Sequence, residues 1–478
     1  MPCTSIIVGK EASQDGSMLV MKLEDIEGDT AQQVQRFKRK YHGDEAWTLQ
    51  SGRRIPHVKV EYAHIQYNSN FDYPGARYSY CAWNPNYLNE WGVMTGDDAG
   101  SVREENKSEF PEAGIYAPEV KHVMGTRCRT AREAVLAAGA LIDEYGFGKT
   151  GLGARRADGA MYFVADGDEC WWMEVVTGRH WVAQRCPDDS VMMRANSFRI
   201  GRVNLRDKKN FLGSKDLVSH AEKMGWYQPE EDGEFDFSRA YGHPDSLRSP
   251  TNRLRELMCL RTFAQSLGIE EMEDDYPESM IFHPDSKVTK EELMAFARTH
   301  YEGTRHDHTN GYELGSPHFT GARTICTNGT VSGTVAQLRS SMPREIGSCL
   351  WIAQSSPCIS VFTPWYLGVK DTPTVYRNGR DRYDPDSAWW RFRMLGMVAN
   401  MNYKECIKVI RPVWDMQEKT MLMLQDPVEK TAMELYEKDP ENARRFLTAY
   451  CGGWGWEAHE KAGQLRDECT RINAQQRK

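Results

Sequence analysis

The chain has 478 residues, of which 40% are apolar and 27% are charged, and its formal net charge at pH 7 is −8. This composition is ordinary for a globular protein with a large core, and the length suggests two to three domains. The negative charge gives no electrostatic footprint for nucleic acid or an anionic membrane, so neither is expected as a partner. No apolar run approaches the ~20 residues of a membrane span and the N-terminus lacks the parts of a signal peptide, which predicts a cytoplasmic location.

The twelve cysteines are scattered along the chain, and no two form a Cys-x-x-Cys pair. This pattern excludes a small disulfide scaffold. We therefore expect most of the cysteines to be reduced and buried as small apolar side chains.

Two mostly apolar runs, at 4–10 and 17–23, are separated by residues that favour turns. The pair predicts an antiparallel hairpin at the start of the chain. If its loop is centred near residue 14 or 15, Asp25 lies opposite Cys3. The thiol at the start of the first strand then has a carboxylate across the ladder.

Only Met1 and Pro2 precede Cys3. If both were removed, one residue would carry a thiol and an α-amine, whose ordinary pKa values are about 8.5 and roughly 7.7–8.0. The amine could then accept the thiol proton, so that nucleophile and general base need no histidine, and Asp25 would orient the amine. The alternative is an ordinary strand cysteine near a chain end.

A predicted strand over 92–96 is followed by Asp97 and Asp98. Side chains at the end of a strand can project into a site, whereas the alternative for this pair is a solvated turn.

Helix and strand patterns continue along the chain. Residues 130–146 predict a helix with a capping box opened by Thr130, and 160–186 predict a three-stranded antiparallel meander. Further helices are expected over 252–266 and 289–299.

Three histidines, His306, His308 and His318, follow the last of these helices. A metal site is one interpretation, but no cysteine or paired acidic residue lies at zinc-like spacing beside them. A polar loop near the mouth of a site is the preferred interpretation, and no metal is expected.

From Asp386 onward the sequence has helical patterns over 389–400, 403–424, 428–438, 443–450 and 456–472. Their aromatic and methionine positions favour packing against a sheet layer or another subunit over cofactor binding, and we expect a homo-oligomer. The preceding series of antiparallel strands interrupted by helices is typical of an α+β layered protein.

Four motifs carry a resemblance to a known family. They are the opening segment CTSIIVGKEASQDGS at 3–17, Asn-Glu-Trp-Gly-Val at 89–93, Ala-Asn-Ser-Phe-Arg-Ile at 195–200 and His-Tyr-Glu-Gly-Thr at 300–304. In this order they resemble the dipeptidase A and secernin family of N-terminal-nucleophile hydrolases, relatives of bile-salt hydrolases and penicillin V acylases.

The resemblance implies a four-layer αββα sandwich of antiparallel sheets. On this basis we expect one catalytic unit over 3–385 and a helical C-terminal extension over 386–478 packed on it. Residues 1–2 are then a removable propeptide.

The resemblance also implies amide hydrolysis through a thioester acyl-enzyme on Cys3. In this scheme Asn196 helps to bind the oxyanion, Asp25 orients the α-amine and Arg253 supports the site electrostatically. From the residues alone, the alternatives are a strand-end asparagine that bonds its own turn and a helix-end cation. No metal or organic cofactor is implied.

The implied substrate is a dipeptide with a free amino end, whose ammonium group would be bound by Asp97 or Asp98. The family motif Arg-Asn-x-Asp is replaced here by Lys-Leu-Glu-Asp at 22–25. Lys22 keeps the charge but loses the planar two-point contact of arginine, which bears on substrate preference.

Two rivals have the same fold. One is an acylase or amidase that acts on N-acyl amides, and the other is a secernin-like interaction protein without enzymatic activity. Because Pro2 blocks the amine of Cys3, the enzyme requires cleavage of the Pro2–Cys3 bond, and the rival without activity does not.

Overall fold

The computed structural model describes residues 3–26, 28, 30–49, 51–69, 86–103, 114–148, 159–269, 279–380 and 382–475. Residues 1–2, the predicted propeptide, lie outside this range. The strands are β1 (Thr4–Val8), β2 (Met18–Asp25), β3 (Gln32–Phe37), β4 (Lys40–Tyr41), β5 (Ala46–Thr48), β6 (Arg54–Pro56), β7 (Val60–Glu61), β8 (His64–Ser69), β9 (Asn86–Asn89), β10 (Met94–Gly100), β11 (Gly159–Ala165), β12 (Cys170–Val175), β13 (Trp181–Arg185), β14 (Val191–Arg194), β15 (Phe211–Gly213), β16 (Ile281–Phe282), β17 (Thr330–Leu338), β18 (Ser348–Gln354) and β19 (Thr363–Tyr366).

The helices are α1 (Ala117–Arg127), α2 (Ala131–Tyr145), α3 (Leu217–Lys223), α4 (Pro229–Asp232), α5 (Phe237–Tyr241), α6 (Pro244–Leu247), α7 (Pro250–Phe263), α8 (Lys290–Phe296), α9 (Arg344–Gly347), α10 (Thr374–Arg377), α11 (Ala388–Ala399), α12 (Tyr403–Lys438) and α13 (Pro440–Gln475).

Two large antiparallel sheets form the centre of the molecule. One has seven strands in the order β16-β14-β1-β2-β17-β18-β19, and the other has eight in the order β15-β13-β12-β11-β10-β9-β8-β3. The predicted hairpin is β1–β2, and the predicted meander is β11–β13. The α+β class with antiparallel sheets is therefore confirmed.

The sheets lie face to face. Ser5 on β1 donates a hydrogen bond to Asp98 on β10, with 2.7 Å between the oxygens. Asn86 on β9 likewise donates to Thr334 on β17 at 3.0 Å. Because buried polar atoms need partners, these bonds fix how one sheet sits on the other.

Helices cover both outer faces. The eight-stranded sheet is covered by α1 and α2, which pack on β9 to β13, and the seven-stranded sheet by α8, α11 and α13, which pack on β2 and β17 to β19. The four-layer helix–sheet–sheet–helix order is thus confirmed. Among the described residues, none of the helices is both long and apolar enough to cross a membrane.

The predicted helix at 130–146 is α2. It begins where the Thr130 hydroxyl accepts a hydrogen bond from the Glu133 backbone N–H, and it ends at Gly146, whose φ is 75°. A glycine suits that position because it has no Cβ to clash in the left-handed region.

The register of the first hairpin differs from the expected one. Thr4 pairs with Leu23, so the continued register puts Glu24, and not Asp25, across from Cys3. The loop is centred between Ser13 and Gln14, half a residue earlier than predicted, and within it Asp15 accepts a hydrogen bond from the Ser17 backbone N–H. A shift of one residue exchanges the faces of a strand, so Glu24 shares the face of Cys3.

The C-terminal helices are longer than the sequence predicts. Breaks expected near 425–427 and 451–455 are absent, since α12 and α13 are each continuous over 36 residues. Pro412 and Pro427 lie inside α12, where a proline costs about 3 kcal/mol. Burial of Ile410, Trp414 and Met421 against the main core offsets that cost.

Candidate active site

Cys3 lies at the start of β1, between the two sheets, and is only 3% exposed. Its thiol donates to the carboxylate of Glu24, with 3.6 Å between Sγ and Oε2. Burial and the neighbouring charge of Glu24 raise the pKa of the Cys3 thiol. The sulfur is therefore a protonated thiol that needs a base before it can act as a nucleophile.

Five buried ionisable side chains form a connected group beside this thiol; we call them the charge cluster: Lys22, Glu24, Asp97, Asp98 and Lys121. Lys22 connects two of the acids, because its Nζ lies 2.5 Å from Asp98 Oδ1 and 3.2 Å from Glu24 Oε2. Lys121 on α1 pairs with Asp97. The cluster thus has three carboxyl groups and two amino groups.

Burial and neighbouring charges shift the pKa values of Lys22, Glu24 and Asp98. Burial raises the pKa of Glu24 and of Asp98, and the charge of Lys22 only partly offsets this. For Lys22 burial acts to lower the pKa, but the surrounding anionic groups outweigh it and hold the pKa well above its usual value. Lys22 thus stays protonated in the interior.

Arg255 on α7 joins the start of β1 to the segment after β14. Its guanidinium donates to the Cys3 backbone carbonyl, to Thr4 Oγ1 at 3.0 Å and to Asn196 Oδ1 at 3.0 Å. It also donates to Asn252 Oδ1 at 2.7 Å, one turn earlier on the same helix. Burial lowers the pKa of Arg255 to about 10, which leaves it cationic at neutral pH.

The structure brings Arg255, and not the predicted Arg253, to Cys3. The two residues are separated by about 200° around a helix of 3.6 residues per turn. Arg253 is half-buried on another side of α7, whereas Arg255 is fully buried. A sequence signal exists, because Asn252 and Arg255 are three residues apart and therefore share one face.

Asn196, predicted for the oxyanion, is half-buried just after β14. While its Oδ1 accepts from Arg255, its Nδ2 donates to the Ala99 carbonyl at 3.1 Å, close to Asp98 in the chain. The amide is therefore oriented with its N–H groups toward the end of β10.

The segment that carries Asn196 is anchored from both sides. Glu174 on β12 accepts hydrogen bonds from the backbone N–H groups of Arg199 and Ile200. The Arg199 guanidinium pairs with Glu256, which is next to Arg255 on α7. These bonds hold Asn196 and Arg255 in one rigid unit.

Asp25 lies at the end of β2, next to Glu24, and its carboxylate is already held by two groups. Thr330 Oγ1 donates to Asp25 Oδ1 at 2.5 Å, and Arg323 pairs with the other oxygen. Asp25 is among the carboxylates whose charge raises the pKa of Cys3. It therefore acts on the thiol electrostatically.

Six of the seven predicted site residues lie at or beside this site, and the seventh, Arg253, does not. Cys3, Lys22, Asp97 and Asp98 come together between the sheets, Asn196 joins them through Arg255, and Asp25 flanks them. Three contributors were missed: Glu24, Lys121 and Arg255.

Comparisons with known proteins identify the family of the chain. The model of Peptidase family C69 matches residues 2–416. The chain is 24% identical to "Probable dipeptidase B" of Streptococcus pyogenes serotype M1, covering 92% of this chain and 87% of that protein. It is 27% identical to "Probable dipeptidase" of Salmonella dublin, covering 80% and 83%. Among solved structures, penicillin V acylase from Agrobacterium tumefaciens is 8% identical, covers 76% of this chain and 86% of that one, and has a TM-score of 0.34.

Proposed function

Because the chain belongs to Peptidase family C69, we propose that this peptidase is a cysteine dipeptidase whose nucleophile is Cys3. The observation that carries the proposal is the placement of the Cys3 thiol, 3.6 Å from Glu24 and bound through its own carbonyl to Arg255, which also holds Asn196. A nucleophile beside oriented polar groups is the arrangement that acyl transfer requires.

Activation begins with hydrolysis of the Pro2–Cys3 bond. While that bond is intact, the nitrogen of Cys3 is an amide and cannot accept a proton. Cleavage releases an α-amine with an ordinary pKa of roughly 7.7–8.0, on the same residue as the thiol. The amine then takes the thiol proton, and the thiolate becomes the attacking group.

The proposed reaction has two stages, acylation of Cys3 and hydrolysis of the resulting thioester. The sulfur of Cys3 adds to the scissile carbonyl carbon, and the tetrahedral intermediate collapses by breaking the C–N bond. The ammonium group of Cys3 gives its proton to the leaving amine, and a thioester remains. Water, deprotonated by the same amine, then adds to the thioester and releases the acid and the thiol.

Asn196 is the proposed side-chain donor to the oxyanion. Its Oδ1 is bound to Arg255, so its two N–H bonds point away from the guanidinium. Substrate would replace the Ala99 carbonyl as the acceptor of one of them. A preoriented donor of this kind contributes about 3–4 kcal/mol to lowering the barrier.

Asp25 and Glu24 are the proposed partners of the new amine. Asp25 is held by Thr330 and Arg323, which gives it a fixed position, and Glu24 directly contacts the thiol on the same residue. A carboxylate on each side favours the protonated amine that forms during attack.

The charge cluster supports a substrate with a free amino end. Asp97 and Asp98 are each paired with a lysine, so neither is a lone ammonium receptor. The cluster has three carboxyl groups for two lysines. We propose that Lys22 keeps the carboxyl groups in place while the carboxyl group in excess attracts the ammonium group of a dipeptide.

We also propose a cytoplasmic homo-oligomer. The eleven described cysteines are free thiols, as expected in a reducing compartment. Methionines exposed by 70–72% on the C-terminal helical layer, at 401, 416 and 423, are apolar surface that a second copy would cover. Analytical ultracentrifugation tests the association, and a monomer at micromolar concentration contradicts it.

A substrate panel tests the proposed activity. We expect the processed protein to hydrolyse dipeptides and to leave N-acyl amino acids and conjugated bile salts intact. Cys3→Ala should abolish turnover, whereas Cys128→Ser, which alters another buried cysteine, should retain it. Preferential hydrolysis of N-acyl amides would assign the acylase function instead.

A further inference from the structure

Four potential metal ligands meet in a second group of side chains, none of which belongs to the charge cluster. They are His300, His318, Cys326 and Cys358, and their ligand atoms all lie within 4.8 Å of one another. Three of the side chains are buried and His318 is half-buried. The residues come from separate segments: the chain after α8, the 3-10 helix Pro317–Phe319, the approach to β17 and the 3-10 helix Pro357–Ile359.

The distances among these atoms are those of a tetrahedral zinc site. His318 Nε2 lies 3.2 Å from His300 Nε2, 3.4 Å from Cys358 Sγ and 4.0 Å from Cys326 Sγ. With Zn–N near 2.0–2.1 Å and Zn–S near 2.3 Å, tetrahedral geometry requires N···N of about 3.3 Å and N···S of about 3.6 Å. The three distances lie within about 0.4 Å of these values.

The outer nitrogens of both histidines are already engaged. His300 Nδ1 lies 2.8 Å from Glu302 Oε1, and His318 Nδ1 lies 3.0 Å from Asn400 Oδ1. Since both partners are acceptors, each Nδ1 can donate its proton outward. Both Nε2 atoms then face the two thiols as potential ligands.

Such outer contacts are the usual support of a zinc site. A histidine ligand commonly donates its second N–H to a carboxylate or carbonyl, which fixes the ring and its tautomer. Asn400 is itself held, because it accepts from Ser316 at 2.8 Å and donates to Asn328 at 3.3 Å. Its oxygen is thereby turned toward His318.

We propose that His300, His318, Cys326 and Cys358 bind one Zn²⁺ as a structural site. Four protein ligands close the coordination sphere and leave no position for water or substrate, which separates a structural zinc from a catalytic one. Soft thiolates with imidazoles favour zinc over calcium or magnesium.

The site would stabilise an irregular part of the fold. Between α8 and β17 the chain has little regular structure, and Tyr301, Asn310 and Tyr312 adopt positive φ angles of 73°, 49° and 68°. One metal ion would join this segment to Pro357–Ile359 and, through Asn400, to the C-terminal helices. Crosslinks of this kind offset the entropy of ordering a long loop.

The same segment reaches the candidate active site. Arg323, which pairs with Asp25, has its backbone carbonyl bound by the Tyr301 hydroxyl at 2.9 Å, and Tyr301 follows the ligand His300. The zinc would therefore be a positioning element for Asp25, at a distance from the reacting atoms. This consequence rests on the proposed function, whereas zinc binding itself does not.

The linear sequence conceals this cluster. The expectation of no metal came from the absence of zinc-like spacing near His306, His308 and His318, and the two cysteines lie 8 and 40 residues after His318. Of the three histidines, only His318 belongs to the cluster.

Metal content tests the site without any substrate. We expect the full-length protein, purified without chelator and with its thiols reduced, to contain about one zinc per chain by inductively coupled plasma mass spectrometry. Cys326→Ser and Cys358→Ser should each lower the zinc content at least tenfold. The matched control is Cys128→Ser, a buried cysteine whose thiol donates to the Val123 carbonyl and whose serine can do the same.

Cobalt substitution keeps the test decisive if the variants do not fold. The wild-type protein loaded with Co²⁺ should show the intense visible bands of tetrahedral cobalt with thiolate ligands. A wild-type chain that takes up neither zinc nor cobalt overturns the proposal, as does zinc retained by both cysteine variants. A Cys326–Cys358 disulfide found by peptide mapping under native conditions would also overturn it. If the wild-type protein binds zinc but does not hydrolyse dipeptides, that result contradicts the proposed function and supports the zinc site.

Discussion

The environment of Cys3 is set by a few buried charges that compensate one another. Lys22 pairs with Asp98 and Glu24, Lys121 pairs with Asp97, and the thiol lies beside Glu24. A buried charge without a partner would cost several kcal/mol, so each member of the charge cluster depends on the others. A single substitution here should therefore lower the free energy of unfolding by more than the energy of the contact that it removes.

Arg255 should matter for catalysis more than Arg253. Arg255→Lys replaces a planar guanidinium that contacts the Cys3 carbonyl and Asn196 with an ammonium group that cannot reach both. We expect kcat for a dipeptide to fall by about 10²-fold, the usual effect of a misplaced oxyanion donor. Arg253→Lys on the same helix is the matched control and should leave kcat near the wild-type value. Steady-state kinetics measure both kcat values, and an equal decrease in the two variants would contradict the assignment of Arg255 to the site.

Lys22 should stabilise the folded protein, and this contribution should be lost at high pH. Its pKa in the folded protein lies above the ordinary value, so its contribution is complete below about pH 10.4 and is lost as the pH rises through the folded-state pKa. Lys22→Met should lower the free energy of unfolding by about 3–5 kcal/mol at pH 7, because it leaves buried carboxylates unpaired.

Urea unfolding between pH 7 and 11 measures that difference. It should stay constant to about pH 10 and then shrink. Lys370→Met, which breaks an exposed pair with Glu441, is the control and should cost at most about 1 kcal/mol. A Lys22 effect that vanishes between pH 7 and 9 would show that the buried amine is neutral.

At this scale the sequence identifies the type of site and misses some of its members. Cys3 and Asn196 are found by motif, because the motif records the residue itself. Glu24 was missed since one residue of hairpin register decides which of two adjacent acids faces the thiol. Arg255 was missed because helix phase, which sequence alone leaves open, selects between two arginines.

At the scale of single elements, α2 is fixed by close packing on the eight-stranded sheet. Gly139 lies against the ring of Trp181 on β13, and a Cβ at this position would overlap that ring. The Trp181 indole N–H donates to Asp143 on the same helix at 2.9 Å, so the ring cannot easily move. The glycine is therefore required by contact, although it weakens a helix intrinsically.

Gly139→Ala should destabilise the protein by about 1–3 kcal/mol because it overpacks this contact. The matched control is Gly453→Ala on α13, where a Cβ meets nothing within 4 Å. There the higher helix propensity of alanine should stabilise by up to about 1 kcal/mol. Thermal and urea unfolding measure whether each substitution raises or lowers the stability. Stabilisation by Gly139→Ala would refute the packing account.

Local sequence signals predict that these elements exist, but they predict poorly where an element ends or breaks. The capping residue Thr130 and the alternation over 160–186 identify α2 and the meander directly. The break predicted inside α12 was wrong because the proline and polar residues there lie on a helix whose apolar side is buried. Tertiary packing, which is absent from a local window, decided the outcome.

At the scale of the whole molecule, the C-terminal helices are a layer of the core. Buried side chains of α11 to α13, among them Phe392, Trp414 and Leu447, belong to the same apolar cluster as the strands. The match of the peptidase family extends to residue 416, beyond the predicted boundary at 385. The order of layers follows from the resemblance, but how tightly the extension packs does not.

A chain ending at residue 385 should therefore fail to fold. Removal of α11 to α13 would expose β18, β19 and the apolar side chains that pack on them. We expect the shortened protein to aggregate or to lose its near-ultraviolet circular dichroism, while the full chain unfolds in one cooperative transition. A soluble 1–385 fragment with native spectra would establish a separate domain instead.

The central claim is that Cys3 becomes the first residue and acts as nucleophile and base. Intact-mass and N-terminal sequence analysis of active wild-type protein should find a chain that begins at Cys3, and one equivalent of a thiol reagent at Cys3 should stop dipeptide hydrolysis. An active preparation in which every chain still carries Pro2 before Cys3 would contradict the claim.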